Sequence, residues 1–328
     1  MRTGRNAREV PGCPFLPPPG GGAVAALGRA REEASPQHTS APIAPPVRSA
    51  SPPLQGEVWE PRLGEPLSIL GIRYLNARPL LAGLEEGIEA PFPYRFATAE
   101  PVDCAETLAT GRAAAALVPV AALPRLARAR VVTSLGVACR GQVTSVLLVT
   151  TVPPGKIRRL AAHTASITSV ALARLLLAER WHTWPTVVSA RPPLASMLAQ
   201  ADAAVLIGDP ALSTVGNSGC EEIDLGLAWQ EWTGLPFVFA VWGVRRDAPA
   251  AVDALLHASL ACAEANWERL LPAWAAAHAQ EVHRVRAYLQ ERLHFRLDAE
   301  DLQAVDEFLR RAGDAGLLPG GRQRECGR

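Results

Sequence analysis

Five short stretches hold the side chains best placed to do chemistry, and each lies where an apolar run meets a turn or a helix. The first is Tyr74-Leu75-Asn76-Ala77-Arg78-Pro79, in which Asn76 follows a strand-like run and a proline opens a helix. An asparagine there either caps the helix with its side-chain oxygen or turns its amide to a ligand. The second is Gln142-Val143-Thr144-Ser145-Val146, where Ser145 interrupts an apolar strand; its hydroxyl serves neighbouring backbone or faces a substrate. The third, His163-Thr164-Ala165-Ser166-Ile167-Thr168-Ser169, crowds hydroxyls at the start of a helix. Unpaired N–H groups and the helix dipole suit such a place to a carboxylate or phosphate, with plain N-capping by Ser166 or Thr168 as the alternative. The fourth, Gly208-Asp209-Pro210, sets an acid at another helix start, as cap or as ligand contact. The fifth runs from Trp229 to Ala240 and is dense in aromatics, which form either a pocket wall or plain core.

These positions need elements that end side by side. Apolar runs predict strands over residues 68–75, 113–120, 143–150, 157–162, 203–207 and 237–244. Amphipathic spacing and proline or glycine punctuation predict helices over 79–86, 101–109 and 168–181, then a helical pattern throughout from Pro249 to about Gly316. Alternation of this kind argues for α/β architecture with mainly parallel strands. In open α/β sheets a ligand sits beyond the carboxyl ends of strands, which is where the five stretches fall.

Composition narrows the partners. The chain has 328 residues, 48% of them hydrophobic, enough for one large domain or two lobes. A formal net charge of +1 supplies no field that would draw it to nucleic acid or to an anionic membrane, so a small molecule is the expected partner. Lys156 is the only lysine, which removes most Schiff-base chemistry, while arginine remains to grip carboxylates. The six cysteines are scattered with no C-x-x-C pair, so a reduced, metal-free, cytoplasmic protein is expected. No secretory apolar region and no apolar run of membrane-spanning length is present. With no phosphate-cradling glycine loop either, no nucleotide or other cofactor is expected. Residues 1–66 hold 13 of the 29 prolines and the run Gly20-Gly21-Gly22, and together with 319–328 they are expected to be disordered.

Taken in order, the five stretches resemble the chorismate dehydratase family, a branch of the type II periplasmic-binding-protein fold. The resemblance spans residues 67–318 and is most specific in Leu75-Asn76-Ala77-Arg78-Pro79, in Ala203 to Asp209 and in Thr233 to Ala240. It implies a two-lobed α/β protein with a ligand cleft between the lobes, lobe 1 being 67–153 plus 238–318 and lobe 2 being 154–237. It implies a hydro-lyase that eliminates water from chorismate to give 3-[(1-carboxyvinyl)oxy]benzoate, on the futalosine route to menaquinone. The family's catalytic roles would fall on Asn76 and Ser145, and substrate binding on Thr144, Ser166, Thr168, Ser169 and Asp209. Where relatives commonly carry aspartate, this chain has His163 and, before the Leu117-Val118-Pro119 run, Ala114 or Ala115. Among the candidates only His163 and Asp209 titrate, so the substrate's own enolpyruvyl carboxylate is the expected proton acceptor. Two other readings share the fold: a cytosolic small-carboxylate binding protein, and the sister enzyme that makes 1,4-dihydroxy-6-naphthoate.

Overall fold

The computed structural model describes residues 65–162 and 166–318. The chain first runs through β1 (Leu67–Ile72), α1 (Arg78–Glu85), β2 (Tyr94–Ala99), α2 (Pro101–Ala109), β3 (Ala115–Pro119) and β4 (Ala129–Cys139). It then passes into β5 (Val146–Thr150), β6 (Arg159–Ala162), α3 (Ile167–Glu179), β7 (Thr186–Ser189), α4 (Leu194–Leu198), β8 (Ala203–Ile207), α5 (Gly208–Thr214), β9 (Glu221–Asp224) and α6 (Leu225–Thr233). The last third holds β10 (Phe237–Arg245), α7 (Ala251–Ala265), α8 (Trp267–Ala277), α9 (Val282–Ala287), β11 (Leu293–Arg296) and α10 (Ala299–Asp314). The expected disorder of 1–66 and 319–328 lies, but for residues 65 and 66, outside the described residues, as does His163.

Two sheets result, in the orders β11-β4-β10-β3-β1-β2 and β7-β6-β8-β5-β9, and each forms the centre of one lobe. All the described residues belong to a single compact unit. Central strands are apolar throughout because helices or loops cover both faces: every residue of β3, β5 and β10 is buried. The edge strand β2 is exposed at alternate positions along most of its length and pairs on one side only, with β1. The aromatic stretch is core rather than pocket wall for the most part. Trp229 is fully buried, donates from Nε1 to the Pro236 carbonyl at 2.9 Å, and meets Phe237 and Phe308 edge-on at 5.4 and 6.1 Å between ring centres.

Three expectations need correction. The strands are mixed: β1, β2 and β3 run parallel, and so do β6, β7 and β8, but β10 is antiparallel to β3 and β4, and β5 is antiparallel to β8 and β9. The reason is that the chain passes between sheets twice, and a strand that arrives from the other sheet lies against its new neighbours without a helical crossover to keep it parallel. The first passage lies at residues 140–145, so β5 belongs to the second sheet and the boundary expected near residue 153 moves upstream. The stretch from Pro249 is not helical throughout, because Leu293–Arg296 breaks it as a strand on the outer edge of the first sheet. Cys104, Cys139 and Cys262 are free thiols.

The passages between the sheets are fixed by one carboxylate. Asp224 ends β9 and caps α6, accepting from the backbone N–H of Leu227 at 3.0 Å. It also accepts from the N–H groups of Val143 and Thr144, at 3.0 and 2.6 Å, on the other passage. Thr144 is held there at φ 62°, a conformation that non-glycine residues adopt rarely.

Candidate active site

A cavity of about 50 Å³ lies between the two sheets, at the carboxyl ends of β1, β3 and β8 and the start of α3. The first lobe lines it with Ile72, Tyr74, Asn76 and Pro119, the second with Val146, Ser166, Thr168, Ser169 and Gly208, and the returning strand β10 with Phe239 and Ala240. Four of the seven expected site residues, Asn76, Ser166, Thr168 and Ser169, thus meet in one place although 90 residues of sequence separate the first from the second.

Asn76 sits in a single turn of 3-10 helix, Leu75–Ala77, between the end of β1 and α1. Buried Leu75 and Ala77 anchor the turn on either side of it, and Pro79 sets the first turn of α1. The side chain caps nothing: the cap position of α1 is Ala77, and no side chain bonds to the helix end. Instead Asn76 Oδ1 is sealed from solvent without a hydrogen-bond partner. Leaving an amide oxygen buried and unpaired costs roughly 1–3 kcal/mol, a cost that a donor brought to it would recover.

Across the cavity, α3 begins with Ser166 at its cap position, again with no side-chain cap bond. Ser166, Thr168 and Ser169 are all nearly buried. Thr168 Oγ1 accepts from the backbone N–H of Ala121 in the first lobe at 3.2 Å, which ties the lobes together and leaves the threonine proton to donate. The helix start therefore presents hydroxyls and unpaired N–H groups at the positive end of a 13-residue helix dipole, the setting that suits an anion.

Tyr74 forms the third wall, and the sequence reading did not single it out. Its phenol donates to Glu100 Oε2 at 2.8 Å; burial first, and then that bond, push its pKa far above the ordinary tyrosine value, so it stays protonated. A side chain at Gly208 would come within 3.1 Å of the Tyr74 ring, and Gly208 is held at φ 58°, so glycine is needed there on both counts. The signals were present in sequence as the Tyr preceding Leu75-Asn76 and the Gly that ends β8, but neither type points to its partner without the fold. No cluster of three His, Cys, Asp or Glu side chains suited to a metal occurs among the described residues.

The other three expected residues do not line this cavity. Ser145 is buried just behind Val146; its carbonyl accepts from Gly208 N–H at 2.8 Å and its Oγ from the Tyr288 phenol at 2.6 Å. Thr144 faces a different cavity, of about 260 Å³, together with Leu75, Leu212 and Tyr288, because its left-handed backbone turns it away from the cleft. Asp209 accepts from His278 Nδ1 at 2.7 Å, and His278 Nε2 in turn accepts from Arg78 Nε at 3.1 Å, while Arg78 also pairs with Glu85. That chain joins α5 in the second lobe to α1 in the first, so Asp209 fastens the lobes rather than facing a ligand or simply capping α5, whose cap position is Ile207.

Two α/β lobes with a lined cleft between them define a periplasmic-binding-protein-like fold, and solved structures agree. Protein AF1704 of Archaeoglobus fulgidus aligns with a TM-score of 0.65 at 16% identity, covering 77% of this chain and 98% of that one. The periplasmic aliphatic sulphonate binding protein SsuA of Escherichia coli aligns at 0.52 and 14% identity, over 80% and 95%. A Candida albicans protein described as having the generic periplasmic binding protein fold aligns at 0.56 and 9%, over 80% and 99%. Identities this low speak for the fold alone. The family model for menaquinone biosynthesis matches residues 67–314, and the chain belongs to that family. It is also 36% identical over 141 residues to a chorismate dehydratase of Thermus thermophilus, a match over 37% of this chain that spans about half of that relative, 51% of its length.

Proposed function

We propose that this protein is a chorismate dehydratase, a hydro-lyase of menaquinone biosynthesis. The observation that carries the reading is that Asn76, whose buried Oδ1 has no partner, lines the same cleft as the hydroxyl-bearing start of α3. An acceptor on one wall and anion-binding donors on the other suit a substrate with a hydroxyl at one end of a ring and a carboxylate at the other, and chorismate, with its C4 hydroxyl opposite its C1 carboxylate, has that polarity. The dehydratase from Thermus thermophilus supports the same substrate.

The elimination removes the ring C3 proton and the C4 hydroxyl. As the C3–H bond breaks, its electron pair spreads through the ring double bond onto the C1 carboxylate. It then forms the C3–C4 double bond as the hydroxyl leaves, and the ring becomes aromatic. Ser166, Thr168, Ser169 and the N–H groups of α3 stabilise the charge that gathers on the carboxylate. Asn76 Oδ1 accepts from the C4 hydroxyl and orients it, and Ser145, buried next to the lining residue Val146, turns its hydroxyl to the enolpyruvyl end once substrate is bound. Thr144 and Asp209 have no direct part in this scheme.

The base is the substrate's enolpyruvyl carboxylate, which passes the proton to the departing hydroxyl so that water leaves. Among the described residues that line the cavity none is Asp, Glu, His or Lys, and the titratable side chain among them, Tyr74, is kept protonated by burial. Intramolecular transfer of this kind gains from positioning what a separate base would otherwise supply.

The test is to incubate the purified chain with chorismate and follow the aromatic product by chromatography, with Asn76→Ala and Ser145→Ala in parallel. Product from the parent and at least tenfold less from each variant is expected, on the order of one lost charge-assisted hydrogen bond. Binding of unchanged chorismate with no product would mark a binding protein instead. Undiminished turnover in both variants would remove the assignment of these two residues.

A further inference from the structure

Ser145 is 1% exposed, and among the described residues its hydroxyl makes a single hydrogen bond, the one it accepts from Tyr288 at 2.6 Å. Tyr288 follows it by 143 residues and opens a π-helical turn, Tyr288–Arg292, a widened turn that is rare and concentrates at functional places. Direction matters in this bond. The phenol is the more acidic partner and is nearly buried, and burial drives its pKa far above the ordinary range, so it keeps the proton that it donates to Ser145 Oγ. With one Oγ lone pair taken by the phenol, the Ser145 proton has no acceptor of its own among the described residues.

The backbone around the serine is equally constrained. Its carbonyl is held by Gly208 N–H at 2.8 Å, and the residue before it, Thr144, is locked at φ 62° by Asp224 and by donating its own hydroxyl to the Val143 carbonyl at 2.6 Å. Val146, the next residue, and Gly208, whose N–H holds the Ser145 carbonyl, both line the cleft, so the serine lies directly behind that lining. A serine fixed at its backbone and at one lone pair retains a single torsional choice, that of its O–H bond, and the phenol removes the orientations that point back toward Tyr288.

We propose that Tyr288 is a positioning residue that, by donating to Ser145 Oγ, aims the Ser145 proton at an anionic oxygen of the substrate in the cleft. This rests on the part given to Ser145 above. Tyr288 acts through the serine and touches no reacting atom itself.

The experiment is a double-mutant cycle in the full chain with Tyr288→Phe, Ser145→Ala and the pair, measuring kcat and KM for chorismate and the thermal midpoint of each protein. Phenylalanine keeps the ring and its packing, so the fold should persist. Expected is a kcat about tenfold lower in Tyr288→Phe with KM within about twofold of the parent, the loss of one neutral hydrogen bond's orienting effect. In the Ser145→Ala background the same change should have no further effect on kcat. Parent-like kcat in Tyr288→Phe, or an equal loss in both backgrounds, overturns the proposal while leaving the part of Ser145 intact. A fully active Ser145→Ala overturns the reading of Ser145 and the proposal together, and so does a parent without turnover.

Discussion

Replacing Asn76 by leucine should make the unliganded protein more stable and the enzyme worse. Asn76 Oδ1 is a buried acceptor with no partner, next to a cavity of about 50 Å³ that accommodates the branching methyl groups of leucine. The unpaired oxygen costs roughly 1–3 kcal/mol in the empty protein, and an apolar side chain of similar size relieves most of that. At about 2–4 °C per kcal/mol for a domain of this size, the melting midpoint should rise by roughly 2–8 °C. Turnover should fall by roughly ten- to a hundredfold, the equivalent of a hydrogen bond of about 1.5–3 kcal/mol to a group that changes charge in the reaction. Differential scanning calorimetry without substrate, paired with a chromatographic assay of the aromatic product, measures both quantities on one preparation. A midpoint below that of the parent would refute the reasoning, because it would mean that the amide already has partners that leucine removes.

The three tyrosines, Tyr74, Tyr94 and Tyr288, all have pKa values raised by burial, and Tyr74 is raised further by its bond to Glu100. The unfolded chain gives up these protons near pH 10 and the folded chain keeps them longer, so stability should fall as pH climbs past 10. An absorbance titration should show the phenolate signal of Tyr74 and Tyr288 appearing only with alkaline unfolding; two phenols titrating in the folded protein near pH 10 would contradict it. Gly208→Ala should cost about 1–2 kcal/mol, because alanine is strained at φ 58° and its Cβ meets the Tyr74 ring at 3.1 Å. Displacing that wall of the cleft should also lower kcat/KM about tenfold, measurable with the same product assay.

Much of the fold was legible where local chemistry and tertiary context agree. Proline at its start and glycine beyond its end gave α2 its bounds at Pro101–Ala109, and a five-residue apolar run gave β8, Ala203–Ile207. The strand Leu293–Arg296 was lost among helices because only Leu293 and Phe295 mark it, and two apolar residues at alternate positions do not outweigh helical flanks. The site was half legible. Asn76 and the hydroxyls of 166–169 were found from their places at strand and helix ends. Thr144 and Asp209 satisfy the same rule yet turn elsewhere, Thr144 through a left-handed backbone and Asp209 through a histidine on a distant helix end. Tyr288 left no trace in the sequence, since an isolated tyrosine in a helical stretch reads as core, which by burial it also is.

Asp224 joins the two strips of chain that connect the sheets, one through Val143 and Thr144 and the other through Leu227. Two separate straps would let the halves of the molecule twist as well as part. Held to one carboxylate, the two strips cannot shift past each other without breaking its hydrogen bonds. The alignment of the two walls that line the cleft thus depends in part on a residue that does not itself line it.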